Sequence, residues 1–437
     1  MSIELITLLL FGSFIVLLVL GLPLVFALGG SAIVGTYFLW GPEALGMVGL
    51  RTFSSATSFV LLAVPLFIFM GCMLEKSGLA ADLYDMMYKW MGGLRGGLAA
   101  GTVFVCMIFA ALVGISGAST VAMALVALPS MLARNYSKTI SIGCIAGGGA
   151  LGVLIPPSVL MIVLGLYTNT SVGKLFLGGI PAGLLIVALF VAYVLIACWL
   201  KPELGPALPL AERASWPEKL VALRAVILPL VLIAGILVSI VSGVATPSEA
   251  AGIGALGSIA CAAIYGKLTW RAIQDACAIT LRVSCMVIWI VFAASLFTAL
   301  YAAVGAQDLV REALGLMPGG RWGVIAAMQA VWFVMGCFLD PIGIMLLTAP
   351  LFFPIVTSLG FDPVWFGVLF VVNMEMAFLT PPFGFNLFYI RGVAPPGVTM
   401  ADIYRSIVPF VMLQGLALII LMIFPELILW LPRALLG

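Results

Sequence analysis

Two proline pairs set inside apolar sequence constrain this chain more than any other feature. The first stands in Leu154-Ile155-Pro156-Pro157-Ser158 and the second in Leu379-Thr380-Pro381-Pro382-Phe383-Gly384, offset by about 225 positions (381 less 156). Proline lacks an amide donor and disfavours helix before it, so each pair interrupts a helix. A second kind of interruption also comes twice. Gly114-Ile115-Ser116-Gly117-Ala118-Ser119-Thr120 precedes the first pair, and Phe338-Leu339-Asp340-Pro341-Ile342-Gly343 precedes the second. Backbone groups freed in hydrocarbon are tolerated only where protein or a water-filled cavity satisfies them. Paired interruptions in two halves of an apolar chain point to a transporter whose site lies at the interruptions.

Hydrophobic residues make up 64% of the chain and charged residues 8%, against about a quarter charged in a soluble domain. The chain therefore reads as a polytopic protein of the lipid bilayer. No basic cluster stands out, which argues against a nucleic-acid partner. The first residues, Ser2-Ile3-Glu4, supply no basic stretch of the kind a signal peptide needs, so the first apolar segment reads as a retained helix. The 8 cysteines lack CxxC spacing and read as small buried hydrophobes. Histidine is absent, which removes the commonest general base and metal ligand. No nucleophile and base set is visible, so an enzyme is disfavoured.

Apolar spans are expected at 3–22, 23–40 and 57–74, followed by an amphipathic stretch at 79–91 that is too polar to cross. Segments 97–113 and 121–132 are short for a crossing of about 20 residues and fit a re-entrant hairpin with its tip at 114–120. A broken span at 141–167 and a span at 175–200 complete the first half. A Pro-rich, charged linker at 201–219 divides the chain. The order then recurs: spans at 222–241, 249–265 and 279–301, an amphipathic stretch at 307–316, a hairpin at 322–356 with Asp340-Pro341 at its tip, a broken span at 363–390 and a closing span at 407–431. Glu249 lies three residues after Thr246 and reads as the acid of a capping box.

The fold class expected is thus an all-α integral membrane protein of two inverted repeats, each with a re-entrant hairpin and a broken helix. An odd number of crossings per half inverts the second half. Placing the N-terminus outside puts Lys76, Lys89, Arg95, Arg134, Lys138, Lys201, Arg213, Lys219, Arg224, Lys267, Arg271, Arg391 and Arg405 at the inner side, leaving Arg51, Lys174, Arg311, Arg321 and Arg433 outside. This satisfies the positive-inside rule.

Unwound carbonyls and hydroxyls ligate small hard cations, and helix N-termini attract anions. One sodium site is expected at Ser116, Ser119 and Thr120 with backbone oxygens from Gly152 to Pro156. A second is expected at the carbonyls of Gly336 to Leu339 with Thr380 and Gly384. Close helix packing is the alternative use of such small residues, but duplication on the broken-helix layout favours a site. Asp340 reads as a functional intramembrane carboxylate or a helix N-cap, roles that are compatible. Asn169, Asn373 and Asn386 are polar linings or partners of freed backbone groups. Glu375 is left open between pairing, carrying a proton and facing water.

Taken together, Gly-Ile-Ser-Gly-Ala-Ser at 114–119, the segment 154–158, Phe338-Leu339-Asp340-Pro341 and Thr380-Pro381-Pro382-Phe383-Gly384 resemble the large membrane (M-type, DctM-like) subunit of tripartite ATP-independent periplasmic (TRAP) transporters, over nearly the whole chain. The resemblance implies a sodium-driven importer of carboxylates, such as a C4-dicarboxylate or sialic acid, in the bacterial cytoplasmic membrane. It implies an elevator motion, a periplasmic substrate-binding protein and a small four-helix membrane subunit, here expected as a separate chain because the first span begins at Ile3. It assigns the sodium regions to the residues named above and the substrate to the space near Ser158 and Asp340, with Asn386 as a further substrate contact. No Arg or Lys lies at either tip to meet a carboxylate, a part that bound sodium and amide dipoles would take.

On that reading, scaffold helices and a first arm occupy residues 1–92, transport-domain half 1 occupies 93–170, and a scaffold helix follows at 171–200. After the linker at 201–220, scaffold and second arm occupy 221–317, transport-domain half 2 occupies 318–393, and a scaffold helix closes at 394–437. The alternatives are a self-sufficient sodium/dicarboxylate symporter, a channel or a membrane scaffold.

Overall fold

The computed structural model of the chain describes residues 2–114, 116–315 and 317–437, and no strand occurs among them. The first half contains α1 (Ile3–Val19), α2 (Leu24–Trp40), α3 (Gly46–Ala56), α4 (Ala63–Lys76), α5 (Leu79–Met91), α6 (Gly97–Val113), α7 (Ser116–Ala133), α8 (Lys138–Ala150), α9 (Val159–Thr168) and α10 (Val172–Leu200). A short helix, α11 (Trp216–Ala222), leads into the second half. There follow α12 (Arg224–Val241), α13 (Pro247–Ile264), α14 (Trp270–Ala303), α15 (Ala306–Gly315), α16 (Gly320–Gly336), α17 (Pro341–Ser358), α18 (Pro363–Leu379), α19 (Phe385–Val393), α20 (Met400–Ile423) and α21 (Glu426–Leu436).

Local chemistry sets many of these starts. The side chains of Ser137, Ser171 and Thr269 each accept the amide three residues on, capping α8, α10 and α14. Thr246 and Glu249 close a reciprocal capping box at α13, with Pro247 at the first helical position. Among the described residues, eight helical stretches, Trp270–Ala303 the longest at 34 residues, are long and apolar enough to cross a membrane. At about 1.5 Å per residue α14 is roughly 50 Å long and outreaches a hydrocarbon core of about 30 Å.

Packing carries the duplication into three dimensions. Helix α4 lies along α13 and α14 along α2, while α4 and α14 also meet each other. The exchange recurs lower in the order: α20 packs on α8 and α10 on α18. Close approach is achieved differently in the two halves. In the first, Gly143 and Gly147 of α8 leave room for the ring of Phe410, and Gly148 for Cys106. In the second, the Trp332 indole donates to Thr348 Oγ1 at 2.7 Å and its ring meets Phe352, Phe366 and Phe370, locking the hairpin α16–α17 onto α18.

Several expectations are corrected. Between the expected spans at 23–40 and 57–74 lies a further amphipathic helix, α3, whose small Gly and Ser residues hide its periodicity. Ser116 to Thr120 belong to the first turns of α7 rather than to an unwound tip, because the Ser119 and Thr120 hydroxyls bond back to the Ser116 carbonyl within the helix. The closing span is two helices, since Pro425 lacks an amide donor and α20 ends at Phe424. The linker is strapped down: Leu208 N donates to Gly92 O and Gly96 N to Gly205 O, both at 2.8 Å. Cys277 and Cys285 are exposed on α14, unlike the other six cysteines. The second amphipathic stretch is α15, and Leu316 lies outside the described residues.

Candidate functional site

Four helices begin at the interruptions: α7 after Gly114, α9 after the first proline pair, α17 at Asp340 and α19 after the second pair. They meet crosswise, α7 on α19 and α9 on α17. Each hairpin thus docks on the outer part of the other repeat's broken helix, bringing helix N-termini from both repeats together.

The first group is closely built. Ser116 Oγ donates to Asn386 Oδ1 at 2.9 Å. Ser119 Oγ lies 2.8 Å from Ser116 O and 3.0 Å from Gly149 O, and Thr120 Oγ1 donates to Ser116 O at 2.9 Å. All three hydroxyl side chains and Asn386 are buried. Two glycines permit this approach: a methyl group on Gly149 would overlap Thr120, and one on Gly114, which has φ +65, would lie 2.8 Å from Pro157 O. With their protons turned toward carbonyls, the hydroxyls keep oxygen lone pairs for a cation. Gly152 sits in a short 3₁₀ turn, Leu151–Val153, and Pro156 is buried beside it, joined to Pro157 by a cis peptide.

Ser158, expected near substrate, caps α9. Its hydroxyl donates to Val153 O at 2.5 Å and accepts from Met161 N at 3.3 Å, with no exposed surface. Asn386, expected on the substrate side, belongs to the first group and also reaches Ala146 O at 3.5 Å.

The second group is more open. Asp340 is half-buried and caps α17, accepting Ile342 N at 2.9 Å. Gly336 ends α16 against Ala377 of α18. Leu339 N bonds to Met335 O, and Phe383 N reaches Cys337 O at 3.4 Å. Thr380 ends α18 with its hydroxyl on Met376 O at 2.7 Å, and Gly384, with φ +44, starts α19. Another cis peptide joins Pro381 and Pro382. Phe338 is 57% and Phe383 49% exposed. Whereas the first break is enclosed, the second presents its apolar rim outward.

Sequence reasoning missed Tyr389. Its ring lies against Gly117, where a methyl group would approach it to 2.7 Å. The available signal was its position three residues after Asn386, on the same face of one short helix. Asn169 sits away from the tips, ending α9 with φ +55.

An all-helical membrane protein with two inverted repeats, crossed hairpins and broken helices is a secondary-transporter architecture. The fold matches a solved structure, the YdaH transporter of Alcanivorax borkumensis, with a TM-score of 0.62 at 17% identity, covering 94% of this chain and 97% of that one. Residues 11–427 match the family described as tripartite ATP-independent periplasmic transporter, DctM component. The chain belongs to this family of TRAP transporter large permease subunits, which are not enzymes. It is 33% identical to the C4-dicarboxylate TRAP transporter large permease protein DctM of Pseudomonas aeruginosa, over 91% of this chain and 92% of that protein. It is 32% identical to the protein of the same name from Vibrio cholerae, over 98% of each. The isethionate TRAP transporter permease protein DctMQ of Oleidesulfovibrio alaskensis is 30% identical over 94% of this chain, which spans 64% of that longer protein.

Proposed function

We propose that this chain is the large permease subunit of a sodium-coupled importer of a small organic acid, working with a periplasmic substrate-binding protein and a small membrane subunit supplied as a separate chain. The observation that carries the reading is the first group of oxygens, where Ser116, Ser119, Thr120 and Asn386 are buried together at the junction of the two repeats. A cation there draws on hydroxyl and carbonyl oxygens without a fixed protein charge. The second group, around Thr380 and Gly384 with the carbonyls of 336–339, is the other sodium position. The acid sits between Asp340 and the N-termini of α7, α9, α17 and α19. Its anionic group is met by amide dipoles and sodium rather than by a lysine or arginine.

In the proposed elevator motion, the hairpins and broken helices slide as one body against the remaining helices. The packing of α10 on α18 and of α20 on α8 supports placing those two helices in the moving body, where the sequence division put them in the scaffold. The N-terminus is placed on the periplasmic side of the bacterial inner membrane. Sodium offsets the cost of carrying an anion through hydrocarbon.

The test is uptake of labelled organic acids, isethionate and C4-dicarboxylates among them, into proteoliposomes holding this chain and its small subunit under an imposed sodium gradient. Uptake that needs both sodium and the binding protein supports the reading. Uptake without the binding protein points to a self-sufficient symporter, and indifference to sodium removes the cation sites.

A further inference from the structure

Away from the tips lies a pair of polar side chains the transport reading does not use. Glu375 of α18 and Gln414 of α20 are both fully buried. Neither carboxyl oxygen of Glu375 and neither amide atom of Gln414 has a hydrogen-bond partner. Four orphaned polar atoms in the interior of a membrane protein are a heavy expense unless they satisfy one another.

Geometry brings them to one place. Helices α18 and α20 run antiparallel, in a register set by the Trp365 indole on Leu421 O at 2.9 Å and by Met376, whose sulfur lies 3.7 Å from where a methyl on Gly415 would sit. Stepping back one residue on each helix turns each side chain by about 100°. Because the helices are antiparallel, both turns go to the same side of the pair. Helix α8 lies on that side, with Phe410, one turn before Gln414, against its Gly143 and Gly147. The cations on helices packed against α18 are engaged elsewhere: Lys138 with Asp402, Arg433 with Glu426, Arg391 with Val398 O and Lys174 with Gly437 O. Arg321 lies over the Phe361 ring, and Arg405 is exposed about nine residues before Gln414. The offset that aligns Pro381 with Pro156 sets Ala150 opposite Glu375, so the acid belongs to one repeat alone.

We propose that Glu375 is a proton-binding site, held as a neutral carboxylic acid in a two-bond ring with Gln414 that fixes the broken helix α18 against α20. The acid O–H donates to Gln414 Oε1, and Gln414 Nε2 donates to the other oxygen of Glu375. This one arrangement satisfies all four orphaned atoms, whereas an ionised carboxylate accepts only the single amide bond and leaves Gln414 Oε1 unpaired. Thr380 follows Glu375 by five residues, so the ring holds the end of α18 from which the second break begins. Glu375 thereby acts as a positioning residue.

Infrared spectra of the membrane-reconstituted protein test this, together with melting temperatures of variants. The wild type minus E375Q difference is expected to contain a carboxylic-acid carbonyl band at neutral pH. E375Q, which rebuilds the ring as an amide pair, is expected to keep the wild-type melting temperature. Q414L and E375L are each expected to lower it, and the double variant E375L/Q414L to fall by less than the sum of the two. Absence of the band overturns the proposal, as does an E375Q loss equal to that of E375L, or strict additivity in the double variant. A sodium-dependent rise in melting temperature that disappears in E375Q would identify the carboxylate as a cation ligand and also overturn it.

Discussion

The hydroxyl of Ser116 donates to the side-chain oxygen of Asn386 at 2.9 Å across 270 residues of sequence, tying the first hairpin to the second broken helix. The contact of Gly117 with the Tyr389 ring joins the two repeats at the same place. Ser116 is also the acceptor for Ser119 and Thr120, so one backbone carbonyl and one hydroxyl organise the whole first group.

Replacing Ser116 by alanine removes an oxygen from that group and orphans Asn386 Oδ1. The stability loss should lie between the ~0.6 kcal/mol of an average interhelical bond in membrane proteins and the ~1–3 kcal/mol of an orphaned buried group. The sodium concentration for half-maximal uptake should rise by about tenfold, equivalent to ~1.4 kcal/mol. Sodium-titrated uptake measures it. S116A together with T380A should abolish sodium-driven uptake, and unchanged uptake would sink the site assignment.

Gly149 to alanine tests the close approach of α7 and α8. Its methyl group would meet both the side chain and the backbone of Thr120, so the helices must separate. Overpacking of this kind costs about 1–3 kcal/mol. A lowered melting temperature and weakened sodium dependence are expected together. Gly392 to alanine, at a position with open space around it, serves as the control.

The two breaks should differ in chemical access. In a background with Cys277 and Cys285 replaced, since both are exposed, a cysteine at Phe383 should react with a membrane-impermeant maleimide in detergent-solubilised protein. A cysteine at Pro157 should not, because that position is buried. Equal labelling would contradict the enclosure of the first break.

Thr246 to alanine opens the capping box at the start of α13 without touching either group of site residues. A loss of about 1 kcal/mol is expected, read as a modest fall in melting temperature. Uptake kinetics at permissive temperature should be unchanged.

Much of the architecture was legible because proline, glycine and apolar run length act locally. The two breaks, the hairpins, the order of spans in each half and the cap at Glu249 follow from residues within a turn or two of each other. The helix α3 was not legible, because its small residues carry little periodic signal. Nor was the helical state of Ser116 to Thr120, since a Gly and Ser run reads as loop until the hydroxyls are seen bonding back to a carbonyl of the same helix.

The sequence alone determined that this is a duplicated, broken-helix membrane transporter, because those features are written in local backbone chemistry. Only the tertiary structure decided which groups meet. Asn386 was expected beside substrate and lies on Ser116, Ser158 is occupied with capping its own helix, and Tyr389 enters through its contact with Gly117. The proposed pairing of Glu375 with Gln414 rests on the antiparallel register of α18 and α20, which no local pattern in either helix contains. Contacts over hundreds of residues depend on how the helices cross, and helix crossing is fixed by packing across the whole molecule, which no local pattern encodes.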